Sequence, residues 1–153
     1  MSDVRTRRKM AARLRRLAEL REGQARRERS AARRELDEAQ ESLDELEQRH
    51  ERAEQELLSS NGPLTGAHMR LLQDGRLAHR DGRVAQQRAV AERSAEHDTR
   101  IRAHERAIGE QRGKEVLEDR MKRELREEFE RQESRELDEI SASRGAGSSD
   151  EPT

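Results

Sequence analysis

The sequence contains no cysteine, tryptophan or tyrosine, and its 153 residues include a single phenylalanine. Because cysteine is absent, the chain can form no disulfide bond, which fits a reducing compartment. No run of 18 apolar residues is present, so we expect no transmembrane helix. The N-terminus also lacks the apolar segment of a secretory signal. These absences together predict a cytoplasmic protein.

Large apolar residues are also scarce. Leu, Ile, Val and Phe make up only about 15% of the chain, which is low for a globular domain. In contrast, Ala, Glu, Lys, Leu and Arg account for 91 of the 153 residues, a composition typical of a coiled coil or a long helix. The sequence can therefore supply a seam between helices but not a compact core.

Strong helix breakers are concentrated in one stretch, residues 59–66, with the sequence Ser-Ser-Asn-Gly-Pro-Leu-Thr-Gly. Pro63 lacks an amide donor and disfavours the helical conformation at Gly62, so a helix cannot continue through this point. The segments on both sides are charged and rich in Ala and Leu. We predict an all-α fold, an antiparallel two-helix coiled-coil hairpin (residues 1–142) with helices over about 3–58 and 67–141, and a disordered C-terminal tail over 143–153.

The charge distribution favours the antiparallel arrangement. Residues 1–34 carry 13 basic and 4 acidic groups, and residues 35–60 carry 2 basic and 10 acidic groups. Folding about Pro63 brings the basic N-terminal segment beside the acidic stretch 114–140. A parallel dimer would instead place like charges together, although each exposed pair contributes little.

Apolar residues in the first helix recur at spacings of three and four. The second half of this helix has a regular heptad seam, formed by Leu36, Ala39, Leu43, Leu46, His50, Ala53 and Leu57. In the first half, Met10, Leu14 and Leu17 form one stripe, which Ala25 and Ala32 continue only after a shift of register.

Two features of the second helix are open to interpretation. The Asp-Gly pairs at 74–75 and 81–82 indicate either a flexible elbow or glycines that allow close contact between the helices. The second helix is also longer, so its last ~20 residues should extend past the first helix. Apolar residues there would lack a partner within the hairpin and would form a binding surface, or pair with themselves in a dimer. They are Leu125, Phe129, Leu137 and Ile140.

The chain carries no recognisable catalytic motif. It has no phosphate-binding loop and no nucleophile–base pair at a known spacing. Glu47-x-x-His50 is a single copy of a motif that di-iron bundles need twice, and His97 and His104 lie two helical turns apart. We therefore predict no enzyme activity, no metal site and no cofactor, and we interpret these histidines as polar seam residues that help to set register.

The basic N-terminal segment suggests a second function class. Followed by leucines at multiples of seven, it superficially resembles the basic region of a zipper protein, but the asparagine that reads bases is missing. A nucleic-acid-binding or general scaffolding coiled coil therefore remains the alternative, beside a docking patch for an acidic protein. The basic residues are Arg5, Arg7, Arg8, Lys9, Arg13, Arg15 and Arg16.

The C-terminal helix resembles the ending of the flagellar type III export stalk family, FliJ. The resemblance lies in Lys114-x-x-Leu117-Glu118, then Arg120 and Glu124, and finally Glu133-Ser-Arg135-Glu-Leu137-Asp138-Glu139-Ile140. It extends over about residues 10–142, with a glycine-containing turn near 62. Ser134 stands where the family usually has Gln, and the family's aromatic residues at the gate-binding face are absent here.

This resemblance implies a stalk similar to the central stalk of rotary ATPases. Family members insert their terminal ends into the hexameric export ATPase, bind the cytoplasmic domain of the export gate, and escort export chaperones. The ATPase-binding residues implied here are Met121, Leu125, Phe129, Glu133, Leu137, Asp138, Glu139 and Ile140. The gate-binding residues implied are Leu43, Leu46, His50, Leu71 and Leu72. Contact with the cytoplasmic face of the membrane would be peripheral, and the injectisome version of this stalk is a further alternative.

Overall fold

The computed structural model describes residues 2–59 and 62–146, which form two long helices. Helix α1 is Ser2–Leu58 and helix α2 is Gly66–Ala146, and the described residues contain no strand. The helices pack against each other as an antiparallel hairpin, which confirms the predicted fold class. Helix α2 continues to Ala146 instead of ending near 141, and the predicted tail residues 147–153 lie outside the described residues.

The start of α2 is capped by its own side chains. The Thr65 hydroxyl accepts a hydrogen bond from the backbone amide of His68 at 3.4 Å, and the Thr65 amide donates to His68 Nδ1 at 3.3 Å. This reciprocal pair satisfies two amides that a helix start leaves without partners, with histidine in the place usually held by Glu or Gln. Helix α2 can therefore begin within three residues of Pro63.

The chain divides into two compact units, and both helices contribute to each. The terminal unit contains residues 2–22 and 107–146, and the turn unit contains residues 23–106. The apolar side chains buried in the terminal unit are Ala11, Ala18, Ala107 and Leu125. Those buried in the turn unit are Ala32, Leu36 and Leu72.

The first half of α1 presents a different face to α2 from the one predicted. Met10 and Leu17 are 62% and 51% exposed, whereas Ala11 and Ala18 are only 3% and 1% exposed. Ala11 and Ala18 are seven residues apart and precede Ala25 and Ala32 at the same spacing, so the predicted shift of register is wrong. Alanine allows two helix backbones to approach closely. Helix α1 therefore packs through its alanine face and leaves the larger Met10 and Leu17 side chains exposed.

Helix α2 runs unbroken through residues 74–82, including both Asp-Gly pairs. A Cβ placed on Gly82 would lie 3.5 Å from Leu46 Cδ2, an ordinary van der Waals distance, so the helices lie close here but leave room for a methyl group. No side chain comes within 4 Å of the equivalent position at Gly75. Within the described residues, no helix is both long and apolar enough to cross a bilayer.

Candidate binding surfaces

The beginning of α1 covers part of the predicted ATPase-binding stripe within the terminal unit. Leu125 is only 7% exposed, and the Arg5 guanidinium lies 5.6 Å from the centroid of the Phe129 ring, a cation–π contact. These two residues therefore do have partners inside the hairpin, which corrects the expectation. Folding about Pro63 would place Arg15 opposite residue 111, but Arg15 pairs with Glu118 instead. The midpoint of the hairpin therefore lies past Pro63.

Glu118 is a buried acidic residue at this covered part of the terminal unit. Arg15 Nε lies 2.6 Å from one carboxylate oxygen, and Lys122 Nζ lies 3.0 Å from the other. The hydrogen bond from Lys122 and the positive charges of Arg15, Lys122 and Arg8 lower the pKa of Glu118, and desolvation opposes them. A carboxylate held between two cations ties α1 to α2 through Arg15.

The exposed part of α2 begins at Glu133. Val4 still lines a groove with Arg131, Gln132 and Arg135, but every described side chain from 133 to 145 is exposed. Leu137 and Ile140 are 58% and 49% exposed, although they are large apolar residues. We call residues 133–140 the terminal stripe.

The predicted ATPase-binding residues thus fall into two groups. Those packed in the terminal unit are Leu125, which is buried, Met121, which is half-buried, and Phe129, which is 42% exposed beside Arg5. Those exposed on the terminal stripe are Glu133, Leu137, Asp138, Glu139 and Ile140.

Most of the predicted gate-binding residues pack between the two helices of the turn unit. Leu72 is 8% exposed, and Leu43 and Leu46 are half-buried, with Leu46 directed at Gly82. His50 stacks on His79 with ring centroids 3.9 Å apart and planes at 5°. Leu71 alone among the five is well exposed, at 59%.

A different set of apolar residues lies open at the same end of the turn unit. Four of them line a groove with Leu72 and Arg76 and are 46–55% exposed: Leu58, Leu64, Met69 and Leu77. We call Leu58, Leu64, Met69 and Leu77 the turn patch. Sequence reasoning missed it because these residues lie off the heptad seam. The sequence does show that Leu58, Leu64 and Met69 lie in or beside the helix-breaking stretch 59–66 and occupy no position of the heptad seam.

The stacked histidines belong to a small polar cluster that includes Arg76, which also lines the groove at the turn patch. His50 Nε2 lies 3.4 Å from a Glu54 carboxylate oxygen, and Arg76 Nε donates to the same oxygen at 2.6 Å. The hydrogen bond and positive charge of Arg76 lower the pKa of Glu54, with smaller contributions from His50 and His79, and desolvation opposes them. The cluster joins side chains of α1 and α2.

The other two seam histidines belong to the turn unit as well. His104 is 7% exposed, and its Nδ1 lies 3.3 Å from Arg29 Nη1, while His97 is half-buried. Among residues 2–59 and 62–146, no group of three or more His, Cys, Asp or Glu side chains could hold a metal ion.

Comparison with known families decides the identity. The family model described as the flagellar FliJ protein matches residues 11–149. The chain belongs to the FliJ family. As a FliJ-family protein it is a component of the flagellar protein export apparatus. No curated protein and no solved structure matches this FliJ-family chain.

Proposed function

We propose that this FliJ-family chain is a non-enzymatic stalk and adaptor that binds the hexameric export ATPase through the terminal stripe. The observation that carries the proposal is the exposure of Leu137 and Ile140 on the part of α2 beyond the groove at Val4. Large apolar side chains without a partner on a helix are typical of a surface that another protein covers. The acidic residues around them, Glu133, Asp138 and Glu139, would orient the approach to a basic partner.

The turn patch is the proposed contact with the cytoplasmic domain of the export gate. Four exposed apolar side chains around one groove offer more contact area than the half-buried seam residues Leu43, Leu46 and His50. Leu71 lies close in sequence and is equally open. The chain would be cytoplasmic, would reach the membrane only peripherally through the gate, and would escort export chaperones between deliveries.

The mechanism that follows is mechanical. Continuous helices can transmit a displacement along their length because backbone hydrogen bonds join each turn to the next. A chain bound to the ATPase at one surface and to the gate at another would couple the nucleotide state of the ATPase to the gate. A few apolar contacts would supply most of the affinity, and the charged faces would set orientation and association rate.

Paired variants test whether the two surfaces have separate partners. We expect Leu137→Ala with Ile140→Ala to reduce capture by the purified export ATPase at least about tenfold while capture by the gate domain is retained. Leu64→Ala with Met69→Ala should have the opposite effect. Each pair is the matched control for the other, since both replace two exposed apolar residues and leave the seam intact.

Pulldown and surface-based binding assays at about 150 mM salt provide the readout, with circular dichroism to show that each variant remains helical. Equal capture of wild type and Leu137→Ala/Ile140→Ala by the ATPase would contradict the proposed site. Indifference to both partners, together with DNA binding that falls steeply with salt, would favour the nucleic-acid alternative.

A further inference from the structure

A second apolar stripe lies on the outer face of α1, opposite its buried alanines. Met10, Leu17 and Leu20 are 62%, 51% and 69% exposed, at spacings of seven and three residues. Two exposed cations, Arg13 and Arg16, precede Leu17 and Leu20 by four residues each, so each lies next to its leucine on the helix surface. We call residues 10–20 the outer stripe.

The outer stripe and the terminal stripe have the same pattern with opposite charge. The outer stripe contains Arg13-x-x-Arg16-Leu17-x-x-Leu20, and the terminal stripe contains Glu133-x-x-Glu136-Leu137-x-x-Ile140. Both elements are helical throughout, and all eight of these side chains are exposed. In the part of the chain that the structure describes, the four charged residues of this pattern form no ion pair with another residue. These charges are therefore available to pair with groups on another molecule.

We propose that the outer stripe binds the terminal stripe of a second copy of this chain. Side by side and parallel, the two helices align Arg13 with Glu133, Arg16 with Glu136, Leu17 with Leu137 and Leu20 with Ile140. The spacing matches at all four positions because both segments are α-helical. Charge complementarity and apolar complementarity thus select the same register, as in paired helices of a coiled coil.

A two-fold axis perpendicular to α1 allows the outer stripe of each copy to contact the terminal stripe of the other. Because α1 and α2 are antiparallel within each chain, such an axis makes α1 of one copy parallel to α2 of the other. The contact then forms twice, as in an isologous dimer. Each contact contains few apolar side chains, so the dimer is weak and reversible, and its charged pairs make it sensitive to salt.

Sedimentation equilibrium of the purified full chain is the first test. The chain should associate to dimers at low salt, and the dimer dissociation constant should increase at least about tenfold between low and high salt. A monomer at all concentrations, or a dimer whose affinity does not respond to salt, contradicts the proposal.

Charge reversal gives a sharper test. Arg13→Glu with Arg16→Glu makes both stripes acidic, and Glu133→Arg with Glu136→Arg makes both basic, so each variant alone should be monomeric. An equimolar mixture should form a heterodimer, because one contact is then wild type and the other is complementary with reversed signs. A mixture that stays monomeric while both variants remain helical overturns the proposal.

Controls separate this contact from other causes. Reversing the exposed Glu41 and Asp44 of the turn unit to Arg changes the net charge by the same amount as Glu133→Arg with Glu136→Arg and should leave the dimer unchanged. Vesicles of phosphatidylglycerol test the alternative occupant of the basic stripe. A monomer that binds these vesicles through Arg13 and Arg16 would replace the second copy with an anionic membrane. These experiments use only the purified chain, so a negative result would not affect the proposed binding of the ATPase.

Discussion

Glu118 is a buried charged residue of the terminal unit. Its side chain is 9% exposed, yet it keeps two cationic partners, Arg15 on α1 and Lys122 one turn along α2. A buried carboxylate is tolerated only where such partners replace its hydration. Leu117, the apolar neighbour that a simple seam would bury, is 36% exposed instead.

The lowered pKa of Glu118 predicts how stability depends on pH. Its folded-state pKa is below the ordinary value of 4.5, so the carboxylate stabilises the fold fully above about pH 4.5. This contribution is lost as the pH falls through the folded-state pKa. We expect Glu118→Gln to lower the free energy of unfolding at pH 7 and to make the loss of stability between about pH 5 and pH 3 shallower.

Urea denaturation followed by circular dichroism measures both effects. The exposed Glu41→Gln serves as the control, since it removes a carboxylate outside the seam. Some acid sensitivity should persist in Glu118→Gln, because the pKa of Glu54 is also lowered. Parallel stability curves for Glu118→Gln and wild type across this pH range would show that the carboxylate does not stabilise the fold.

Interior glycines reduce the helix propensity of helix α2. Gly75 and Gly82 lie inside a continuous helix, where glycine is less favourable than alanine by roughly 0.5–1 kcal/mol. A methyl group at Gly75 meets no side chain within 4 Å, and at Gly82 it would lie in ordinary van der Waals contact with Leu46. The structure therefore gives no steric reason for glycine at either position.

Replacing these glycines should stabilise the protein. We expect Gly75→Ala and Gly82→Ala each to raise the free energy of unfolding by roughly 0.5–1 kcal/mol in urea denaturation. Ala85→Gly, at an exposed position of the same helix, should lower it by a similar amount. If Gly75→Ala instead destabilises the protein, α2 is not a regular helix at this point and the flexible elbow returns as the better interpretation.

The sequence predicts the hairpin architecture better than it predicts which residues form the exposed surfaces. The breakers around Pro63 and the leucine seam that begins at Leu36 give two antiparallel helices, because proline and heptad spacing act locally. The sequence does not predict the buried face at Ala11, because a small side chain favours helix packing only where a second helix lies close. The exposure of Leu17 and Met69 likewise depends on which faces of α1 and α2 meet, so the sequence pattern alone does not predict it.

The antiparallel pairing within one chain can be tested directly, since the protein has no cysteine of its own. Leu46→Cys with Gly82→Cys places two thiols at a contact where a Cβ on residue 82 lies 3.5 Å from Leu46 Cδ2. A short bismaleimide should link them within one chain, whereas the pair Leu46→Cys with Gly66→Cys should not react, because Gly66 lies about 24 Å from Gly82 along α2. Mass spectrometry and denaturing gels distinguish a linked monomer from a linked dimer. A product that is mainly a dimer would mean that Leu46 faces residue 82 of another chain, and the hairpin would have to be replaced by an intermolecular coiled coil.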